Sequence, residues 1–150
     1  MSLLYFEDIV VGEKTIAGQH QTSKTEILEF AQKWDRQPFH IDEEAAKSYP
    51  YGGLIAPAPY ILAVVTRVST ADSDMPKMAV IGALGYDQMR IPNPVRPGDL
   101  LTVSWVIIEK RESKSKSDRG IVRTQTEIRN QRNEQVISYI STAMIYKRPV

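Results

Sequence analysis

The second half of the chain has the pattern of a β-sheet. Four apolar or alternating stretches, rich in Val, Ile, Thr and Tyr, predict strands over residues 79–91, 100–109, 121–129 and 136–146. The connections 111–120 and 130–134 are polar and short enough for hairpins, which favours antiparallel pairing of the strands on either side. A further strand is predicted near residues 14–21.

A short amphipathic helix is predicted over residues 24–34. Ser23 and Glu26 have the spacing of a capping box. The apolar residues that follow recur at helical spacing and form one stripe, at Ile27, Phe30, Ala31 and Trp34. Pro38 disfavours helix at the residue before it, so Asp35 is expected at the helix end, leading into a turn.

Two more helices are predicted before the strands. The first begins near Asp42, which can cap the acid-rich segment 43–47, and residues 49–53 then form a loop. The second follows Pro57, with prolines in its first turn and apolar residues on every side, so it must be surrounded by protein. An apolar helix followed by antiparallel strands predicts a sheet curled around that helix, an α+β architecture.

Composition narrows the functional classes. The 150 residues suffice for a single domain spanning 1–150. Nineteen basic residues against eighteen acidic ones give a net charge of +1, too weak a field to favour nucleic acid or an anionic membrane as partner. The absence of cysteine excludes disulfides and thiolate nucleophiles, and two histidines leave little material for a metal site. No metal and no cofactor are expected.

The predicted location is the cytoplasm. Glu7 and Asp8 stand where a signal peptide would need an apolar core. The longest apolar run, residues 55–65, contains two prolines and falls short of the roughly 20 residues that span a bilayer. A cysteine-free chain also suits a reducing compartment.

The segment from Trp34 to Asp42 carries the clearest candidate chemistry. It places Asp35 and His40 on either side of a proline turn, where both can face one cavity. A carboxylate and an imidazole can jointly hold and polarise one water molecule, as the addition of water to a polarised double bond requires. The structural alternatives are that Asp35 only caps its helix and that His40 is a hydrogen-bonded core residue.

Residues 34–42 resemble the hydratase motif of the MaoC-like, or R-specific enoyl-CoA hydratase, family, which runs roughly Gly-Asp-x-Asn-Pro-x-His-x-Asp. Asp35, Pro38, His40 and Asp42 match it in place. Three other segments resemble family features in the same order along the chain: the opening at 5–8, the loop 51–56 before the central helix, and the Pro-Val-x-x-Gly-Asp turn at 94–100.

The resemblance implies a hotdog fold, usually dimerised so that the active site lies near the subunit interface. It implies a hydro-lyase that hydrates an enoyl-CoA or dehydrates a 3-hydroxyacyl-CoA thioester. Asp35 would act as base in hydration and His40 would deliver or receive the second proton. The backbone N–H of Ala58 would hold the thioester oxygen, with Gly53 and Thr66 as further substrate-binding residues. The expected partners are a coenzyme A thioester and a second copy of the chain, or more copies.

The start of the central helix departs from the family pattern. The family usually has His-Gly where this chain has Pro57 and Ala58, and Pro57 has no N–H to donate. Two other functions therefore stay open. One is a non-catalytic acyl-CoA-binding subunit, and the other is an acyl-CoA thioesterase, against which the spacing of Asp35 and His40 argues.

Other residues have weaker claims to function. Arg90 and Arg96 are candidates for coenzyme A phosphates, since the guanidinium fork suits phosphate. Aromatic side chains could line an acyl pocket or simply pack, at Tyr49, Tyr51 and Tyr60, with packing favoured for Tyr60. His20 is expected at the surface of its strand.

Overall fold

A computed structural model describes residues 2–71 and 74–150 of the chain. Its centre is a five-stranded sheet in which all neighbouring strands are antiparallel. In chain order the strands of this sheet are β2 (Lys14–Gln21), β4 (Val80–Arg90), β5 (Leu100–Glu112), β6 (Arg119–Arg129) and β7 (Gln135–Tyr146). They lie side by side in the order β2-β5-β6-β7-β4, so β2 and β4 are the edges. The short strands β1 (Leu3–Leu4) and β3 (Lys77–Met78) pair separately and in parallel.

Among the described residues, four α-helices lie between β2 and β3: α1 (Lys24–Trp34), α2 (Pro38–Ile41), α3 (Glu43–Ala46) and α4 (Ala58–Thr70); a single 3₁₀ turn spans Phe6–Asp8. The sheet packs around α4, and the two share one apolar core. The helix contributes Tyr60, Ile61, Val64, Val65 and Val68, and the strands contribute Leu101, Val103, Ile128, Val136, Ile137 and Tyr139. Apolar burial of this kind is the main favourable term in folding. The α+β architecture predicted from the sequence is therefore confirmed.

The predicted elements agree with the structure at most of their boundaries. The helix over 24–34 and the strand over 14–21 have the predicted bounds, and Asp42 caps α3 by accepting hydrogen bonds from the amides of Glu44 and Ala45. The hairpin connecting β6 and β7 spans 130–134, as predicted, whereas β5 and β6 extend further into their connection. Of the turn predicted over 72–77, positions 72 and 73 lie outside the described residues.

Two details of α1 differ from the prediction. Trp34 does not join the apolar stripe; it is 66% exposed, with the Lys33 ammonium 5.1 Å from its ring centroid. The capping box is only half formed. The Ser23 hydroxyl accepts a hydrogen bond from the Glu26 amide at 3.1 Å, but the Glu26 carboxylate turns away from the helix end and binds other residues.

The central helix is not enclosed on every side in a single chain, which corrects the prediction. One side of α4 is exposed, at Pro59, Ala63, Thr66, Arg67 and Thr70. The edge strand β4 also exposes large apolar side chains, at Val80, Leu84 and Tyr86. The sheet covers one side of α4 but leaves the other side and the β4 edge open.

A second, smaller core lies at the far end of the sheet. Phe6 is its largest member and packs with Ile107, Val122 and Ile145. Gly120, at the start of β6, lies directly beneath the Phe6 ring, and a Cβ added there would stand 2.2 Å from two ring carbons. The glycine is needed here for space.

Candidate active site

The turn between α1 and α2 positions Asp35 and His40. Asp35 is the C-cap of α1, where its amide donates to the Ala31 carbonyl at 2.9 Å. Pro38 occupies the first position of α2, where a missing N–H costs nothing. His40 follows within that single helical turn. The chain thus turns between Asp35 and His40, so that the two side chains face each other.

Asp35 and His40 approach each other closely, with 3.5 Å between Asp35 Oδ2 and His40 Nε2. Their surroundings differ: the side chain of His40 is 7% exposed and that of Asp35 is 29% exposed. The imidazole is therefore held within protein, while the carboxylate reaches solvent.

The second nitrogen of His40 is fixed by the backbone. Nδ1 lies 2.7 Å from the carbonyl oxygen of Ile55, and the Ile55 amide donates to the Phe39 carbonyl at 3.2 Å. A carbonyl oxygen only accepts, so Nδ1 carries a hydrogen whatever the charge of the ring. Nε2 is then the nitrogen that gains or loses a proton, and it is the one that faces Asp35.

The start of α4 presents one free backbone donor. Pro57 and Pro59 have no N–H, and the Tyr60 amide donates to the Pro57 carbonyl at 3.0 Å. Ala56, just before the helix, donates its amide to Val95 at 2.8 Å. Among the described residues, the Ala58 N–H has no hydrogen-bond acceptor. It lies at the positive end of the helix dipole, where a developing negative charge is stabilised.

The remaining predicted substrate-binding residues lie on either side of this helix start. Gly53 is in the loop before α4, and a Cβ added there would stand 3.5 Å from Arg96 Nη1. Thr66 is on the exposed side of α4, about 12 Å along the axis from Ala58 at about 1.5 Å per residue. Its hydroxyl donates to the Leu62 carbonyl at 3.3 Å. The structure thus brings Asp35 and His40 together, and Thr66 lies about two turns further along α4 than Ala58.

The arginines predicted for phosphate binding have backbone contacts in this chain. Arg96 Nη2 donates to the Tyr51 carbonyl at 2.7 Å, which ties the turn 94–99 to the loop before α4. Arg90 Nη1 donates to the carbonyl of its neighbour Met89. Tyr49 packs its ring against Phe39 at 5.0 Å, and Tyr51 is 52% exposed.

Sequence reasoning missed two contributors to the site region. The Ile55 carbonyl has no signal in the sequence, because any residue type supplies the same oxygen. Glu26 was assigned only to the helix cap, yet its carboxylate binds Tyr60 and His20. His20, expected at the surface, has a side chain that is only 19% exposed. The contacts of the Glu26 carboxylate with the Tyr60 hydroxyl and the His20 imidazole join residues that are distant along the chain, so only the folded structure reveals them.

The described residues offer little for a metal or a membrane. Within 2–71 and 74–150, no group of three or more His, Asp or Glu side chains is arranged to hold a metal ion. No helix in those ranges is long and apolar enough to cross a bilayer.

The architecture is a helix wrapped by an antiparallel sheet, with a carboxylate and an imidazole meeting in the turn between two short helical segments that precede it. Residues 9–130 match the family model described as MaoC like domain. The chain therefore belongs to the MaoC-like domain family, and its fold is the hotdog fold that the resemblance implied.

Individual relatives agree with this assignment. The crystal structure of a MaoC-like dehydratase from Rhodospirillum rubrum superposes with a TM-score of 0.88 at 33% identity, covering 98% of this chain and 99% of that one. The R-hydratase PhaJ1 from Pseudomonas aeruginosa gives a TM-score of 0.77 at 25% identity, covering 96% and 86%. A 3-hydroxybutyryl-CoA dehydratase from Methylorubrum extorquens is 31% identical over 111 residues, which are 73% of this chain and 67% of that protein. The family is one of hydratases and dehydratases.

Proposed function

We propose that this protein is a hydro-lyase that adds water to an enoyl-CoA thioester, or removes it from a 3-hydroxyacyl-CoA thioester. The observation that carries the proposal is the 3.5 Å approach of Asp35 Oδ2 to His40 Nε2, with Nδ1 anchored on Ile55. Relatives support the substrate class, since one is named as a dehydratase of 3-hydroxybutyryl-CoA. A cytoplasmic location, expected from the sequence, is part of the same proposal.

The proposed proton transfers use the Asp35 carboxylate and His40 Nε2, because His40 Nδ1 is engaged with the Ile55 carbonyl. In hydration, a water molecule hydrogen-bonded to both Asp35 and His40 attacks the β-carbon of the enoyl group, forming a C–O bond and breaking one O–H bond. The Asp35 carboxylate takes that proton, and His40 Nε2 delivers a proton to the α-carbon. Transfer of a proton from Asp35 to His40 across their short separation restores the starting state. Dehydration is the reverse sequence.

The thioester oxygen is the other place where charge develops, because the electrons of the double bond move toward it as water attacks. In the proposal the Ala58 N–H donates to this oxygen, aided by the helix dipole. Alanine in place of the family's usual glycine keeps this donor, since the working group is in the backbone. Gly53 leaves the loop beside the helix start without a side chain, and Thr66 would contact a more distant part of the ligand.

A homodimer, or a larger assembly built from it, is part of the proposal. Edge strands with exposed apolar side chains are prone to pair with another chain, and β4 has three such side chains. The other edge, β2, exposes only one large apolar side chain among its described residues, Ile16. A second copy placed along β4 would also cover part of the open side of α4. This arrangement fits a site completed at the subunit interface.

The direct test is a panel of purified acyl-CoA thioesters of increasing chain length, both enoyl and 3-hydroxyacyl. Turnover is followed by loss or gain of the absorbance of the conjugated enoyl thioester, with an Asp35→Asn, His40→Gln double variant as the control. We expect the absorbance to change with wild-type protein but not with the double variant, and we expect the reaction to release no free thiol.

The same assay separates the other two functions. Release of free thiol without a hydration product would replace the proposal with a thioesterase. Binding of acyl-CoA with neither a change in enoyl absorbance nor release of free thiol would identify a non-catalytic binding subunit. The lost turnover would then be attributed to Pro57 and Ala58.

A further inference from the structure

A cluster outside the catalytic pair joins three elements of the fold at one carboxylate. Glu26 Oε1, on α1, lies 2.5 Å from the hydroxyl of Tyr60 on α4 and 2.6 Å from Nε2 of His20 on β2. We refer to these three residues as the Glu26 junction. The Tyr60 hydroxyl and an Nε2–H of His20 both donate to the same oxygen, so each bond holds a different element against α1.

The junction is partly shielded and charged. Tyr60 is 3% exposed and the side chain of His20 is 19% exposed, whereas the side chain of Glu26 is 46% exposed. Burial raises the pKa of the Glu26 carboxyl, but the hydrogen bonds from Tyr60 and His20, together with the positive charges of His20 and Arg67, hold the pKa below its usual value. Burial, followed by the bond to Glu26, raises the pKa of Tyr60, so its hydroxyl keeps its hydrogen. Hydrogen bonds to an ionised acceptor are shorter and stronger than neutral ones.

From the sequence alone, Glu26 is expected to complete the capping box of α1, but in the structure it does not. At its position in α1 it could complete a capping box by accepting from the Ser23 amide. Ser23 makes its half of the box, but the Glu26 carboxylate binds Tyr60 and His20 instead. The helix start therefore lacks one capping hydrogen bond, while Glu26 connects α1 to α4 and β2, which are distant along the chain.

The place where this connection acts is the start of α4. Tyr60 lies in the first turn of that helix, two positions after Ala58. Its ring also packs edge-on against Phe30 of α1, with centroids 5.7 Å apart. The helix that Tyr60 contacts in these two ways is the one whose C-cap is Asp35. The junction therefore links the element that ends at the carboxylate with the element that begins at the free N–H.

We propose that Glu26 and Tyr60 are positioning residues, whose hydrogen bond holds the Ala58 N–H at the working distance from the Asp35 and His40 pair. The inference rests on the proposed function, since it concerns the geometry of that reaction. Neither residue contacts the substrate in this proposal. The bond matters because a misplacement of about 1 Å can lower turnover by about 100-fold.

The kinetic test compares variants that break the bond with one that preserves it. Tyr60→Phe and Glu26→Ala should each lower kcat by about 10-fold, with KM changed by less than about twofold. Glu26→Gln keeps an oxygen that can accept from Tyr60, so kcat should stay within about threefold of wild type. If both residues act through one bond, the Tyr60→Phe, Glu26→Ala double variant should lose no more than either single variant.

A matched control removes a hydroxyl elsewhere on the same helix. Ser69 donates to the Val65 carbonyl at 2.7 Å near the other end of α4 and takes no part in the junction. Ser69→Ala should leave kcat and KM within about twofold of wild type. Equal losses of kcat in Ser69→Ala and Tyr60→Phe would mean that any weakening of α4 slows the reaction, which would overturn the proposal.

A second readout needs no turnover. In ¹⁵N-labelled protein, the amide resonance of Ala58 should shift in Tyr60→Phe and Glu26→Ala but hold its position in Glu26→Gln and Ser69→Ala. An unmoved resonance in both bond-breaking variants would overturn the positioning role, whatever their kcat. If wild-type protein turns over no substrate, the proposed function fails, and the Ala58 resonance still decides whether the junction sets the start of α4.

Discussion

His40 is held at one nitrogen and free to exchange a proton at the other. The Ile55 carbonyl accepts a hydrogen bond from Nδ1 at 2.7 Å, and the ring is buried. Asp35 by contrast is partly exposed and faces the exchangeable nitrogen. At the scale of single residues, the proposed hydration needs a fixed proton donor, His40, and an accessible base, Asp35.

Loss of either member of the pair should stop the reaction without unfolding the protein. Asp35→Asn and His40→Gln are each expected to lower kcat by at least about 100-fold, because each removes a group that transfers a proton. Steady-state kinetics on the best substrate of the panel, beside thermal melting curves, checks this.

The matched control for Asp35→Asn is the same change at Asp42. Asp42 caps α3 through backbone amides, and asparagine is as good a cap as aspartate, so Asp42→Asn should keep near wild-type turnover. A variant at Asp35 or His40 with near wild-type kcat would show that the residue is not catalytic. Loss of folded protein would instead return it to a structural role.

Ala58 allows the backbone donor to be removed with little disturbance of the fold. Its N–H has no acceptor among the described residues, and Pro57 before it has ψ of 151°, the conformation that a following proline requires. Proline also suits the first position of a helix. Ala58→Pro should therefore fold normally and lose about 100- to 1,000-fold in kcat.

Ala58→Gly is the companion variant, because it keeps the N–H. It should retain activity at a cost of about 0.5–1 kcal/mol in the free energy of unfolding. Kinetics and melting curves of both variants are needed together. Undiminished turnover in a folded Ala58→Pro protein would mean that another group binds the thioester oxygen.

The pairing of Asp35 and His40 was predictable because it is local. A helix end, a proline and a single turn determine where both side chains point, and all three are visible in the sequence. The partners of His40 Nδ1 and of Glu26 were not predictable, since Ile55 and Tyr60 are brought to them by tertiary packing. The sequence could assign Glu26 only to its nearest use, the helix cap.

At the scale of elements, the predictions were correct where the hydrophobic pattern was long enough to distinguish a helix from a strand. The bounds of α1 and β2 were predicted correctly, and the strands β4 to β7 agree within a few residues. The helix α2 was missed because its four residues are too few to show a period. Trp34 had the spacing of a buried position, but α1 ends there and the residue lies beyond the core.

The contact between β6 and the segment before β2 depends on a missing side chain. Gly120→Ala would place a methyl group 2.2 Å from the carbons of the Phe6 ring, so either the ring or the strand must move. Overpacking of this kind costs about 1–3 kcal/mol in the free energy of unfolding, which chemical denaturation can measure.

A second substitution shows whether the clash is the cause. Phe6→Leu makes room at the same place, so the Gly120→Ala, Phe6→Leu double variant should lose less stability than the two single losses added together. Additive losses would mean that Gly120 is required for another reason, such as the backbone conformation of the strand start.

At the scale of the whole molecule, the proposed dimer can be tested by placing the same charge on the two edges of the sheet. Leu84→Lys on β4 should convert the dimer to monomers in sedimentation experiments and lower activity, because it puts an ammonium group into the proposed interface. Ile16→Lys on β2 replaces an even more exposed apolar side chain on the other edge and should leave both the dimer and the activity unchanged.

Dilution of wild-type protein provides the same test without a mutation. Activity per chain should fall as the dimer dissociates, if the interface completes the site. A stable, fully active monomer would remove the dimer and the interface location of the site together. Dissociation by Ile16→Lys in place of Leu84→Lys would move the interface to β2.

The run Pro57, Ala58 and Pro59 also bears on how this site can change over generations. A group supplied by the backbone is inherited with every amino acid except proline, so most replacements at position 58 leave the donor in place. Alanine and proline codons differ by a single nucleotide, however, and both neighbours are prolines. We therefore expect position 58 to accept many changes of side chain, while one single-nucleotide change, to proline, would remove the donor and leave the protein folded.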